Sequence, residues 1–185
     1  ETGQNSDLNN LLGLGYNGDN VMVNNWWNSL YNLVAQTNQI LERVPGINAM
    51  DEGQKKKILG EAHFLRAWAY FYLVRLWGDV PLITASQTTS SEDFYPTRTP
   101  QEQVYTQIVN DLQAAEVSGL PMTDNTGRAS LGAVKSLLAK VYLTMAGYPL
   151  NKGASHYKLA ADKAAEVINS GSFQLFTTYD ALHRG

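Results

Sequence analysis

The sequence contains no cysteine, which excludes disulfides, thiolate metal sites and cysteine nucleophiles. It also has no apolar run near the roughly 20 residues that a membrane-spanning helix requires. There is no basic run either, and the net charge of −3 argues against a nucleic acid as partner. Residues 1–7 fit neither a signal peptide nor a lipidation motif, so we expect any export signal to have been removed or to lie outside this sequence.

What the sequence does contain is a long helical pattern near its middle. Apolar residues recur at steps of three and four at Ile58, Ala62, Leu65, Ala69, Tyr72 and Leu76. Phe64, Trp68 and Phe71 add a second apolar row, and a helix that is apolar around most of its girth is usually buried between neighbours. We therefore predict a central, sandwiched helix that ends at Gly78 in a left-handed conformation, shortly before Pro81.

Similar stripes on either side predict at least four further helices, separated by links that contain proline or glycine. The expected N-terminal caps and starts, in chain order and including the central helix, are Asn24 or Asn25, Asp51, Thr99 with Pro100, Ser130 and about Ser155. Because short links join helices that lie side by side, consecutive helices should form antiparallel hairpins.

Two segments of the chain share a short pattern. Residues 69–73 and 139–143 both read A-x-x-Y-L, and their separation is about two tetratricopeptide (TPR) periods of ~34 residues. A small residue at a helix crossing, followed one turn later by a large one, is typical of stacked helical hairpins. The sequence therefore predicts an all-α fold of stacked helical hairpins, a TPR-like α-solenoid, over residues 1–185.

The central segment also carries a family resemblance. Residues 60–82 read G-E-A-x-F-L-R-A-x-A-Y-F-x-L-V-R-L-W-G-D-V-P-L, which resembles the signature segment of the SusD-like (RagB/SusD) nutrient-binding proteins of Bacteroidetes outer membranes. The similarity extends over most of the chain from about Trp26 onward, including residues 127–143. It implies the N-terminal TPR-like portion of such a protein, truncated relative to full members, which continue into a large second half.

The resemblance also implies a function and a location. It suggests a surface-exposed lipoprotein of the cell outer membrane that captures oligosaccharide and delivers it to a SusC-like TonB-dependent transporter. Contact with the membrane would be made only through a lipid anchor, which is absent from this chain. The alternative that the helical pattern leaves open is a generic TPR-like scaffold for protein–protein interaction.

The residues themselves offer no catalytic or metal-binding constellation. His63 lies two residues from Glu61, so on a helix the two side chains point to different sides and cannot share a metal. No serine lies in a G-x-S-x-G elbow. Residues 17–20 lack the spacing and the closing glutamate of a calcium loop. We therefore predict a binding protein that is not an enzyme and that needs no cofactor and no metal.

One stretch before and at the start of the first long helix suits a sugar ligand. Sugars have apolar C–H faces that stack on aromatic rings, and hydroxyl groups that need amide or carboxylate partners. The candidate glycan-binding residues are Tyr16, Asn17, Asp19, Asn20, Trp26 and Trp27. Adjacent helical positions point about 100° apart, so Trp26 and Trp27 cannot both lie in one narrow core stripe. Which of the two is exposed stays open at this point.

The charged residues of the central helix are predicted to be structural. If that helix is sandwiched, the charges of Glu61, Arg66 and Arg75 must be paired or must reach solvent along their aliphatic stems. They are therefore not expected in the ligand site.

Overall fold

The computed structural model describes residues 6–87, 95–176 and 178–179. Its helices are α1 Ser6–Leu12, α2 Val21–Arg43, α3 Glu52–Trp77, α4 Gln101–Glu116, α5 Leu131–Ala146 and α6 Ala154–Ile168. A 3₁₀ turn, Val44–Gly46, follows α2 directly. The extended pairing found in the described ranges is a single antiparallel bridge between Val80 and Thr99. The predicted all-α fold is confirmed.

Consecutive helices pack against each other, from α2 on α3 through to α5 on α6. Helix α3 lies between α2 and α4, and its residues Tyr70, Phe71 and Leu73 are almost completely buried. The prediction of a sandwiched helix is confirmed for that part of its surface. It is wrong for Leu65 and Leu76, whose exposed fractions are 37% and 61%, because α3 keeps one outward face between its two neighbours.

Two of the predicted helix caps are confirmed. The carboxylate of Asp51 accepts a hydrogen bond from the backbone N–H three residues later at 2.9 Å. At the start of α5, the hydroxyl of Ser130 accepts a hydrogen bond from the backbone N–H of Ala133 at 3.2 Å. Gly78 ends α3 with a φ of 72°, as predicted, but its ψ of −124° lies outside the left-handed helical region.

Helix α4 is capped by a distant residue. Thr99 with Pro100 was the expected start, but the Thr99 N–H donates to the carbonyl of Val80 and its side chain makes no cap. The first helical N–H, from Gln101, instead donates to the carboxylate of Asp79 at 2.9 Å. An acidic side chain at a helix N-terminus also interacts favourably with the helix dipole.

A buried polar cluster, formed by Asn38, His63, Arg66 and Asp111, joins α2, α3 and α4. The guanidinium of Arg66 donates to both carboxylate oxygens of Asp111, at 2.9 and 2.7 Å, and to the amide oxygen of Asn38 at 2.8 Å. His63 Nδ1 lies 2.7 Å from Asp111 Oδ1. The predicted structural role of Arg66 is confirmed, and Glu61 likewise pairs with Arg128.

The same cluster holds the segment that follows α3. The amide nitrogen of Asn38 donates to the carbonyls of Ile83 and Ala85, at 3.0 and 3.1 Å. The hydroxyl of Tyr70 donates to the carbonyl of Ile83 and accepts its N–H, while Tyr31 donates to Pro81. Residues 81–85 are therefore fixed across the α2–α3 hairpin.

The repeated A-x-x-Y-L pattern does not mark equivalent positions. Ala69 and Leu73 are completely buried in the core. At the matching positions on α5, Ala139 is half-buried and Leu143 is 54% exposed. The two helices therefore present the shared pattern to different surroundings.

The last helix keeps an apolar face uncovered by the described residues. Only Ala160 is buried on α6, while Tyr157 and Ile168 are 50% and 73% exposed. Ala161 and Ala165 lie between them on the same face and are also exposed.

Close contact between α3 and the end of α4 depends on Gly60. A Cβ added there would lie 1.9 Å from Ser118 Oγ. Alanine is favoured over glycine in a helix by about 1 kcal/mol, whereas overpacking costs about 1–3 kcal/mol. We expect Gly60→Ala to lower the free energy of unfolding by up to about 2 kcal/mol in urea denaturation.

The control for this substitution is Ser118→Gly, which removes the overlapping atoms. In that background Gly60→Ala should raise the free energy of unfolding by about 1 kcal/mol. A stabilising effect of Gly60→Ala with Ser118 intact would show that Ser118 moves aside at no cost.

Candidate functional site

An open groove of about 420 Å³ lies where α1, the loop before α2 and the two long helices meet. It is lined by Tyr16, Trp26, Tyr72, Arg75, Leu76 and Trp77, with three aliphatic or thioether side chains from α1 and α2. We call this the aromatic groove. It lies at the N-terminal end of α2 and the C-terminal end of α3, because these two antiparallel helices place those ends together.

The loop that carries Tyr16 is fixed by Asn20. The amide oxygen of Asn20 accepts the backbone N–H groups of Met22 and Val23, at 3.0 and 3.2 Å, which caps α2. Its amide nitrogen donates to the carbonyl of Asp7 at 3.0 Å and so ties α1 to the loop. Helix α2 therefore begins earlier than Asn24 or Asn25, the caps that the sequence suggested.

Asn20, one of the residues predicted to bind glycan, is buried in the structure. Its exposed fraction is 4%, and both polar atoms of its amide already have backbone partners. The contacts seen in the structure are those by which Asn20 holds the loop in place.

Asn17 and Asp19 are exposed on the same loop but do not line the groove. The amide oxygen of Asn17 accepts the N–H of Asp19 at 3.1 Å, which forms a local turn. Asn24, from the first turn of α2, donates to the carbonyl of Gly18 at 3.1 Å. These polar residues therefore hold the turn that follows Tyr16.

The structure distinguishes the two tryptophans. Trp26 lines the groove, is 49% exposed, and stacks on Tyr72 with ring centroids 5.9 Å apart. Trp27 is half-buried and packs against Tyr31 and Trp77, with centroid distances of 4.8 and 5.3 Å. Trp27, the other tryptophan predicted to bind glycan, does not line the groove, and its ring packs against the core.

The groove residues of α3 were missed by reasoning from the sequence. Tyr72 and Leu76 were assigned to the core stripe, and Arg75 was predicted to be a structural charge. The helical spacing places Tyr72, Arg75 and Leu76 on one face. A charged residue between apolar ones on that face indicates that the face is not fully buried, and this could have been recognised from the sequence. The guanidinium carbon of Arg75 lies 5.0 Å from the centroid of the Phe71 ring, and Arg75 is exposed.

A second pocket, smaller at about 190 Å³, lies between α2 and residues 83–87. Two of its polar groups are already committed to the fold. Asn38 belongs to the buried polar cluster, and the Tyr31 hydroxyl donates to Pro81. Burial raises the pKa of the Tyr31 hydroxyl, which therefore stays protonated and keeps donating. The aromatic groove is the better candidate site.

The aromatic groove offers ring faces, one guanidinium and apolar walls. None of the described residues that line it carries a carboxylate. In the part of the chain that the structure describes, no group of three or more His, Cys, Asp or Glu side chains is placed to hold a metal ion. No helix in those same ranges is long and apolar enough to cross a membrane. The groove's chemistry suits a ligand with apolar faces and polar edges.

Comparison with known proteins identifies the family of the chain. Residues 2–143 match the SusD-like family model described as starch-binding associating with outer membrane. A SusD-like protein of Bacteroides ovatus is 34% identical over 164 residues, which are 85% of this chain and 29% of that protein.

Solved structures share the fold. A SusD superfamily protein from Parabacteroides distasonis has a TM-score of 0.90 and 39% identity, over 96% of this chain and 38% of that one. A structure solved with a xylogluco-oligosaccharide has a TM-score of 0.83 and 28% identity, over 98% of this chain and 36% of that one.

This chain therefore spans about three tenths of the length of the Bacteroides ovatus relative. The family model, in contrast, covers well over half of this chain. The resemblance seen in the central helix is thus confirmed, and the chain belongs to the SusD-like family, described as starch-binding and associated with the outer membrane.

Proposed function

We propose that this chain supplies a glycan-binding groove to a cell-surface protein that captures oligosaccharide. The observation that carries the proposal is the half-exposed ring of Trp26, held in the aromatic groove by stacking on Tyr72. A ring supported in this way loses little conformational freedom when a ligand stacks on it. Tyr16 and Arg75 lie in the same groove and offer a hydroxyl and a guanidinium to sugar hydroxyls.

Asn17 and Asp19 extend the proposal to the loop beside the groove. Both are exposed; Asn17 follows Tyr16 directly, and Asp19 lies two residues further along the chain. Their side chains offer oxygen acceptors, and that of Asn17 also offers an amide donor, which sugar hydroxyls require. In the proposed site the rings supply stacking, whereas these loop residues and Arg75 fix the orientation of the sugar.

The proposal includes a partner and a location. The captured oligosaccharide would be delivered to a SusC-like TonB-dependent transporter, with the protein held at the outer-membrane surface as a lipoprotein. The family description, starch-binding associating with outer membrane, supports the location, and the relative solved with a xylogluco-oligosaccharide supports an oligosaccharide as ligand. In this function the protein binds its ligand without changing it chemically, and therefore acts without a cofactor.

One observation favours the second candidate function, a protein-interaction scaffold. The apolar face of α6, with Tyr157 and Ile168, is the kind of helical surface that another protein segment covers. That face is on the last helix and the aromatic groove is on the first two long helices, so the two functions can be separated by substitution.

Replacing Trp26 with alanine tests the glycan-binding proposal. We expect the dissociation constant for a bound oligosaccharide to rise about tenfold or more, equivalent to ~1.4 kcal/mol, because the stacking platform is removed. The melting temperature should change little, because about half of the ring is already exposed. Calorimetric titration with xylogluco-, malto- and laminari-oligosaccharides measures the affinity.

Two matched controls accompany this variant. Tyr148→Ala removes an aromatic ring that is 87% exposed and lies outside the groove, so binding should be unchanged. Trp27→Ala should lower the melting temperature more than Trp26→Ala does, because Trp27 packs on Tyr31 and Trp77. An affinity that Trp26→Ala leaves unchanged for a confirmed sugar would place the site elsewhere.

A further inference from the structure

Among the residues that the structure describes, Arg75 is the one charged residue that lines the aromatic groove. Its guanidinium lies over the ring of Phe71, and its Cζ atom is 5.0 Å from the ring centroid. Neither a salt bridge nor a hydrogen bond joins its guanidinium to another residue in the described ranges. Arg66 and Arg128 differ in this respect, because each is paired with a carboxylate. Arg75 therefore brings to the groove a positive charge that no carboxylate in the described ranges pairs with.

The surroundings of Arg75 do not neutralise this charge. The other lining residues are aromatic, aliphatic or methionine side chains. Asp79 is the next acidic residue along the chain, and its carboxylate accepts the N–H of Gln101 at the start of α4. A guanidinium presents several N–H donors in a planar fork that matches a carboxylate or another planar array of anionic oxygens. Because Arg75 is exposed, an anionic ligand group can reach its guanidinium from solvent.

We propose that the aromatic groove prefers an acidic oligosaccharide, in which the sugar ring stacks on Trp26 and an anionic substituent reaches Arg75. This inference rests on the proposed glycan-binding function. Tyr72, which supports Trp26, lies three residues before Arg75, and side chains at that spacing are neighbours on a helix. Tyr72, on which Trp26 stacks, and Arg75 are therefore one helical turn apart on α3. The anionic group is a uronate carboxylate or a sulfate ester.

The test compares ligands that differ only in charge. Trigalacturonic acid is titrated beside its methyl ester, and a sulfated galacto-oligosaccharide beside its unsulfated counterpart. We expect at least one acidic ligand to bind at least tenfold more tightly than its neutral counterpart, and that preference to shrink as the salt concentration rises. The pair that shows the preference identifies the anionic group. Equal affinity within both pairs overturns the inference.

Substitution of Arg75 tests whether this residue causes the preference for acidic oligosaccharides. Arg75→Gln should reduce the ratio of the affinities for the acidic and the neutral ligand to about one. Arg75→Lys keeps the positive charge but loses the planar array of N–H donors, so it should keep part of the preference. Arg128→Gln, outside the groove, should leave the ratio unchanged. If Arg75→Gln fails to fold, the unmodified protein provides the test: an acidic preference that does not shrink as the salt concentration rises overturns the inference. An acidic preference that survives Arg75→Gln overturns the inference.

The outcomes separate this inference from the function on which it rests. If neutral sugars bind through Trp26 with no acidic preference, the glycan-binding function stands and the inference fails. If no oligosaccharide, neutral or acidic, binds in a manner that Trp26→Ala weakens, the proposed function itself fails.

Discussion

Replacing Asp111 with asparagine is expected to lower the free energy of unfolding by about 3–5 kcal/mol. The exposed fractions of Arg66 and Asp111 are 5% and 2%, so the substitution leaves a buried guanidinium without its counter-charge. The bidentate contact between them also joins α3 to α4, and Asn38 links the same guanidinium to α2. One substitution therefore weakens a network that joins three helices.

Thermal and urea denaturation of the unmodified protein and of Asp111→Asn measure this effect. For a chain of this size, each kcal/mol shifts the melting temperature by about 2–4 °C, so a decrease of about 6–20 °C is expected. Asp162→Asn is the matched control, because Asp162 makes an exposed pair with Lys158 one turn away on α6. Such pairs contribute about 0.5 kcal/mol or less. Equal effects of the two substitutions would contradict the structural role of the buried polar cluster.

The same carboxylate gives stability a dependence on pH. Burial alone raises the pKa of Asp111, but hydrogen bonds from His63 and Arg66 and the charge of Arg66 outweigh it, so the pKa is lowered. The folded-state pKa is below the unfolded one, so Asp111 contributes stability that is fully present above the ordinary aspartate pKa of about 4. That contribution is lost as pH falls through the lower folded value. The stability of Asp111→Asn should therefore fall less steeply below about pH 4 than that of the unmodified protein.

Ala69→Trp is the second substitution with a large expected effect. Ala69 is completely buried on α3, in the core that α2 and α4 share with it. A tryptophan ring cannot be accommodated there without displacing the neighbouring helices, and overpacking costs about 1–3 kcal/mol or more. We expect the melting temperature to fall by at least several degrees, with a broadened transition.

Ala139→Trp supplies the comparison. The A-x-x-Y-L pattern by itself predicts the same effect at both alanines. The structure predicts a clearly smaller effect at Ala139, because that residue is half-buried and the new ring can turn toward solvent. Circular dichroism melts of both variants decide between these expectations. Equal destabilisation would mean that the two positions are equivalent after all.

The sequence by itself determined the helical architecture and the family. Apolar periodicity, Asp51 and Ser130 as caps, and a positive φ at Gly78 are all correct in the structure. These features depend on interactions within about one helical turn, so they can be recognised from neighbouring residues. The signature segment likewise identified the family without any knowledge of contacts.

Only the tertiary structure decided how the helices are joined and where the groove lies. Asp79 caps α4 from 22 residues away, and Arg66 meets Asp111 across 45 residues of sequence. Trp26 and Tyr72 come together because α2 and α3 are antiparallel, and the same packing turns Trp27 toward Trp77. The pattern of a single helix shows which residues share a face, but the neighbouring helices decide whether that face is buried. For this reason the outward face of α3, with Tyr72 and Arg75, could be recognised as part of a binding groove only after α2 was in place.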